Sequence, residues 1–324
     1  MEEIIVLKKP IIYSSKKYII NCIDSLICSF INSHGYPHYW LFSDLGFYYY
    51  SHEDFRIDEK YLESLVEKNL KDLYKVNMNE YENVDLAEKI TETIVRKKMP
   101  LFLLIDVFNV PWSPFYQKVH HVHFIAVTNI NILKKEVFVY DLRPKGYADW
   151  YSFDELEIAF KLGGQQCFKL STPKFDYNME MLKYKLESCY QKIIGEKNLV
   201  FSSGIFGYEK FLEDIKAMDN DCINYIELWW ELLQKVIYNR EHFLEFILYL
   251  NLDNDSILYG KLDKEFILNV EETNNMFYSF RNSIMKSSMK GNFNIEANIK
   301  KLSTIIEAEK KNANYIKDLI TKIY

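Results

Sequence analysis

The amino-acid sequence predicts an α+β protein, with an antiparallel sheet and its helices over residues 1–175 and a mostly helical domain over 176–324. Three observations predict it. Leu101–Ile105 is an unbroken apolar run of strand length, bounded by Pro100 and Asp106, as a buried strand requires. Two more strand-like runs, Val122–Val127 and Glu136–Asp141, flank an Asn-containing connection suited to a hairpin. Beyond about residue 175, apolar residues recur at steps of three and four, the period of a helix face.

The elements follow in order. A helix is expected over Cys22–Ser33, stopped by His34-Gly35 and Pro37. Amphipathic helices follow over Asp58–Leu73 and Val84–Lys98, the second closed by Pro100. Leu101–Val107 then reads as a buried strand carrying a carboxylate near its end, Asp106. The hairpin strands come next, with residues 128–135 between them. Ser152 and Glu155 have capping-box spacing and open a short helix to about Lys161. Gly163-Gly164 ends it, and Gln166–Leu170 is a further strand.

In the second half, Met179–Ile194, Tyr208–Met218, Cys222–Leu250, Asp263–Met289 and Ile295–Ile323 read as helices. The last has an apolar stripe, Ile295, Ile299, Leu302, Ile306, Ala313, Ile316, Ile320 and Ile323, with one turn missing at Glu309. Such a stripe is a packing face. Trp229 and Trp230 are adjacent on a helix and face different ways, so at least one belongs to the core.

Composition narrows the class. The 324 residues suit about two domains. Hydrophobic residues make up 48% and aromatic residues 16%, which excludes a disordered chain, and only 10 Gly and 7 Pro exclude a linker-like one. A formal charge of −6 argues against a nucleic-acid partner, because such proteins present a basic face. No apolar run approaches the ~20 residues of a membrane span, and Met1–Pro10 lacks the apolar stretch of a signal peptide. A soluble, cytoplasmic protein is expected. Five cysteines, at 22, 28, 167, 189 and 222, never form a Cys-x-x-Cys pair, so neither a disulfide framework nor a zinc site is specified.

One of those cysteines invites chemistry. In Asn21-Cys22-Ile23-Asp24, Cys22 stands where an apolar stretch turns into a helix. Helix dipoles and free N–H groups there favour a thiolate and can stabilise an oxyanion. The competing reading is a small buried hydrophobe, the common fate of a lone cysteine. His121 and His123 lie on one side of an extended strand, and His120 on the other. A hairpin centred near Ile132 puts His123 opposite Asp141, nine residues to either side, and a slip of two leaves them diagonal neighbours. A buried carboxylate needs a partner, and a histidine oriented by one is two-thirds of a nucleophilic triad. Strand-spaced histidines without a third ligand specify no metal; no metal and no cofactor are expected.

The order Cys22, His123, Asp141 resembles the papain-like cysteine enzymes. More specifically, residues 18–145 resemble the butirosin-biosynthesis protein H family of acyltransferases. The likeness rests on Asn21-Cys22 with its helix and His34-Gly35-Tyr36, and on the stretch from Asp106-Val107-Phe108-Asn109-Val110-Pro111-Trp112 through Tyr116 into His120 and His123. Val139-Tyr140-Asp141 completes it. The resemblance implies a papain-like catalytic domain and a reaction of secondary-metabolite (antibiotic or nonribosomal-peptide-type) biosynthesis. Cys22 would take an acyl group from an acyl carrier protein thioester and pass it to a small amine, with His123 as base and acid and Asp141 orienting it. Hydrolysis by the same triad, as a peptidase or amidase, and a non-catalytic binding protein with Cys22 merely buried are the alternatives.

The papain-like oxyanion glutamine has no counterpart in Tyr13-Ser14-Ser15-Lys16-Lys17-Tyr18. The candidates for oxyanion or substrate contacts are therefore the Cys22 N–H with Asn21, Ser14 or Ser15, and, on the substrate side, Asp106, Trp112, Tyr116 and His121. Asp106 would bind a cationic amine or else cap nearby N–H groups; Trp112, Phe115 and Tyr116 would line an acyl channel or else pack under their loop. Lys16-Lys17 or Lys97-Lys98 would meet an acidic carrier.

Overall fold

A computed structural model of the chain describes residues 6–13, 21–51, 55–57, 65–142, 146–197, 201–218, 224–290 and 293–323. Ser14, Ser15, Lys16, Lys17 and Cys222 lie outside them. In chain order the elements begin with α1 (Cys22–Ser33), β1 (Tyr48–Tyr50), β2 (Arg56–Ile57), α2 (Leu65–Asp72), β3 (Met78–Tyr81), α3 (Leu86–Ile90), β4 (Leu101–Asp106) and β5 (Val122–Asn131). They continue with β6 (Glu136–Asp141), β7 (Tyr147–Ser152), α4 (Phe153–Leu162), β8 (Cys167–Leu170), α5 (Met179–Ile194), β9 (Ser202–Ser203), α6 (Gly204–Met218), α7 (Ile226–Leu252), α8 (Lys264–Lys290) and α9 (Ile295–Lys322).

The chain divides into two units. The first takes the described residues of Met1–Ile11, Ile20–His38 and Leu70–Phe175; the second takes those of Ile12–Ile19, Tyr39–Asn69 and Asp176–Tyr324. The chain crosses between the units more than once. The described residues of 39–69 belong to the second unit.

In the first unit six strands form an antiparallel sheet in the order β3-β8-β4-β5-β6-β7. Leu101, Leu103 and Ile105 of β4, Ile125 and Val127 of β5, and Val137 and Val139 of β6 point to one side and form a core with Leu86, Ile90, Ile94, Leu156 and Phe160. The strands at this centre are the ones with apolar residues on both sides, as burial on two faces demands. The helix expected over 84–98 is α3, capped by Asp85, and it widens into a π-turn over Thr91–Arg96.

The hairpin differs from the expectation in one respect. Strand β5 runs on to Asn131, so the connection is four residues rather than eight, and a bulge at Thr128 shifts the register between Val127 and Asn129. The pairs Ala126↔Tyr140 and Val127↔Val139 place Asp141 opposite Ile125 rather than opposite His123.

The second unit is helical around a small sheet, β2-β1-β9. Helix α9 packs against α5, α6 and α8, and α7 packs along α8. The turn missing from the apolar stripe of α9 is filled by Glu309, 1% exposed and paired with Arg240 of α7, which is also buried. Trp229 is fully buried and its indole donates to the Phe55 carbonyl at 2.8 Å. Among the described residues no helix is long and apolar enough to cross a membrane.

Candidate active site

Helix α1 begins at Cys22 because Asn21 caps it. The Asn21 Oδ1 accepts the Asp24 N–H at 2.8 Å, and Asn21 Nδ2 donates to Asp24 Oδ2 at 2.8 Å, a reciprocal arrangement that fixes the first turn. Asn21, an oxyanion candidate from sequence, thus has a capping role here. The helix ends at His34, with Gly35 at φ +80°, a left-handed conformation that glycine adopts without penalty. Helix α1 packs on β5, the strand that carries His123.

His123 continues the buried side of β5 one step beyond Ile125, and Asp141 continues that of β6 one step beyond Val139. Alternation along each strand brings both side chains to the same side at the end of the core. His123 Nε2 and Asp141 Oδ1 lie 2.8 Å apart, with side-chain exposures of 16% and 5%. The Cys22 side chain hydrogen-bonds to the same imidazole; with Nε2 committed to Asp141, Nδ1 is the ring nitrogen left for sulfur. Backbone N–H groups of Phe124 and Ile23 also point at the sulfur.

The electrostatics follow from these contacts. Burial raises the Cys22 thiol, but the His123 hydrogen bond, the Phe124 N–H, the His123 charge and the Ile23 N–H outweigh it, so the thiol sits below its ordinary value. Burial likewise lowers His123, yet the Asp141 hydrogen bond, the Cys22 hydrogen bond and the charges of both partners lift it from 6.5 to about 9. A depressed thiol beside an elevated imidazole favours the thiolate–imidazolium pair. The other described cysteines contrast with it: burial pushes Cys28 well up, Cys167 to about 11 and Cys189 to about 12.

Asp141 has a second partner that sequence reasoning missed. Trp112 Nε1 donates to Asp141 Oδ2 at 2.9 Å. The indole lies flat on Tyr147, centroids 3.9 Å apart and planes at 4°, and meets Tyr151 edge-on at 4.9 Å. Of the two expectations for Trp112, an acyl channel or packing under its loop, packing is present, since Trp112 lies against the sheet core, and it also contacts the carboxylate. No local spacing links positions 112 and 141, so nothing in the sequence marks the pair.

Asp106 is turned inward. Its Oδ1 accepts the Phe108 N–H at 2.9 Å, its Oδ2 lies 2.7 Å from His120 Nδ1, and the His121 N–H also reaches it. At 5% exposure it caps its loop and holds His120, which stacks on Phe108. Of the two expectations for Asp106, capping is the one its contacts show. Tyr116 and His121 remain exposed on the same loop; the Tyr116 hydroxyl accepts from Gln117 Nε2 at 3.1 Å, and His121 meets Phe115 edge-on at 6.0 Å. Lys97 is engaged by Glu92, which also holds Lys89 and Lys169. Among the described residues no group of three or more His, Cys, Asp or Glu side chains is placed to hold a metal ion.

Compared with models of known protein families and with curated proteins, the chain matches none, so the functional reading rests on the site's own geometry and chemistry.

Proposed function

We propose that the chain is a cysteine-dependent acyltransferase with a papain-like catalytic unit, acting in secondary-metabolite biosynthesis on an acyl carrier protein thioester and a small amine. The observation that carries this reading is the chain of contacts from Cys22, at the start of α1, through His123 to Asp141. The Cys22 thiolate attacks the thioester carbonyl, and the carrier thiolate leaves with the proton of His123. The amine then attacks the Cys22 acyl-thioester, its proton passes to His123, and the Cys22 thiolate is released. Two easier steps replace one, and a thioester needs no strong acid to expel its thiol. The carrier and the secondary-metabolite setting come from the sequence resemblance, which the Cys-His-Asp geometry supports but does not itself specify.

The test offers an acyl-thioester donor with and without amines and follows acylation of Cys22 by mass spectrometry. An acyl adduct on Cys22, discharged faster by an amine and giving an amide, is the expected result. Free acid formed at one rate regardless of amine identifies the hydrolase instead. Absence of both the adduct and enhanced Cys22 alkylation overturns the catalytic reading in favour of a binding protein.

A further inference from the structure

We propose that Trp112 is a positioning residue of the Cys22–His123–Asp141 site, bracing the Asp141 carboxylate through its indole N–H while Tyr147 fixes the indole plane. The inference rests on the catalytic reading of that site and deepens it. A carboxylate held at one oxygen can turn about its last torsion. Here Oδ1 faces His123 at 2.8 Å and Oδ2 faces Trp112 at 2.9 Å, so the two contacts oppose rotation.

The brace is itself built. Asp141 and Tyr147 are paired across β6 and β7, so the strand beside the carboxylate supplies the platform on which the indole stacks. Tyr151, two steps further along that strand's buried side, closes the indole edge, and its hydroxyl donates to the Asn109 carbonyl at 3.1 Å, tying down the loop that delivers Trp112. The Gln117 N–H bonds the Phe108 carbonyl at 2.9 Å and the Ser113 N–H bonds Val110 at 3.0 Å.

The chemistry of the donor matters as well as its place. An indole N–H donates, never accepts, and does not ionise at working pH. It therefore holds Asp141 as an acceptor over the whole range in which His123 changes charge. A water or hydroxyl in that position could reverse its hydrogen bond; the indole cannot. Asp141 stays oriented, and His123 keeps one nitrogen on the carboxylate and the other toward sulfur.

The test is the pH profile of Cys22 alkylation by iodoacetamide, read together with a thermal melt. Trp112→Phe keeps a stacking ring and deletes the donor. Its alkylation inflection is expected to move up in pH, with the rate at pH 6.5 falling about tenfold, the worth of one hydrogen bond to a charged group, and the rate at pH 10 unchanged. Asp141→Asn should show a larger shift of the same kind, and the double variant no more than Asp141→Asn alone, because the indole acts through the carboxylate. A folded Trp112→Phe protein with the native profile, or additive effects in the double variant, overturns the proposal. Should Trp112→Phe fail to fold, Tyr147→Leu, which keeps the indole but removes its platform, carries the same expectation and the same refutation. If the native protein already shows the profile of an ordinary thiol, the catalytic reading falls and the bracing role falls with it.

Discussion

His123 Nε2 and Asp141 Oδ1 meet at 2.8 Å although they are not cross-strand partners: the register sets Asp141 opposite Ile125, one step along the buried side of β5. A histidine ring is long enough to cover that diagonal, so the contact survives the two-residue offset. The geometry makes Asp141 the group that lifts His123 and, through it, depresses Cys22. Asp141→Asn keeps the shape and loses the charge. Iodoacetamide labelling of Cys22 at pH 6–7 should slow by at least about tenfold, and acyl transfer by about a hundredfold or more, the range for loss of an oriented acid–base group. Unchanged labelling would separate Asp141 from the site.

The same shifts make stability depend on pH with opposing signs. His123 rises from 6.5 to about 9 on folding, so it contributes stability that is complete below 6.5 and lost as pH climbs through about 9. Cys22 moves down from 9.0; its contribution is present above 9.0 and lost as pH falls through the folded value. In the native protein the two slopes oppose each other. Cys22→Ala removes the second and leaves Asp141 holding His123, so its Tm should fall more steeply than the native Tm between pH 6.5 and 9. Parallel melting curves across that window would contradict the coupling.

Much of this site was legible because it depends on local signals. The stop signals His34-Gly35 and Pro37 mark the end of α1, and the buried strands β4 and β6 are apolar runs. Strand alternation then puts His123 and Asp141 on one side for a register that is exact or off by two residues. The bulge at Thr128 changed the register without changing the side, so the expected contact formed by a different pairing. What could not be read is non-local or short. Met78–Tyr81 and Tyr147–Ser152 are the two edge strands of the six-stranded sheet, and their polar, partly exposed residues show no strong period. Glu309 looks like a break in a helix stripe until Arg240, 69 positions earlier, is seen to pair with it. The indole on Asp141 belongs to the same class of long-range contact.

The sequence offers Asp106 as a binder of the amine or as a cap, and the two roles separate experimentally. With Phe108, His120 and His121 all bound to its carboxylate, Asp106→Ala leaves the groups it caps without their acceptor. Chemical unfolding should show a loss of about 1–3 kcal/mol, whereas the KM for amine acceptors of the surviving folded protein should stay within about twofold, less than the roughly 1.5–3 kcal/mol that a hydrogen bond to a charged group contributes. A large rise in KM with little loss of stability would restore the amine-binding role.

Gly163 ties the helix behind the sheet to the strand that ends in Asp106. It closes α4 with its N–H on the Ala159 carbonyl at 3.0 Å, and a Cβ built there would lie 2.6 Å from the Leu104 carbonyl oxygen and 2.7 Å from the Ile105 Cα. Both are backbone atoms of a fully paired central strand, so neither can swing aside as a side-chain tip would. Its φ of −76° suits any residue, so the restriction is one of space rather than of backbone conformation. Gly163→Ala should destabilise by about 1–3 kcal/mol, the range for overpacking a filled core. Because Ile105 pairs directly with His123, relief of the clash by moving β4 would also disturb the histidine strand. Cys22 labelling at pH 6.5 should therefore slow in the folded variant. Gly164→Ala, beside it, would place its Cβ where no atom lies within 4 Å, at a φ of +98°; its cost is one of backbone strain, and labelling of Cys22 should keep the native rate. Equal effects of the two variants on labelling would show that Gly163 acts through the turn rather than through its contact with β4.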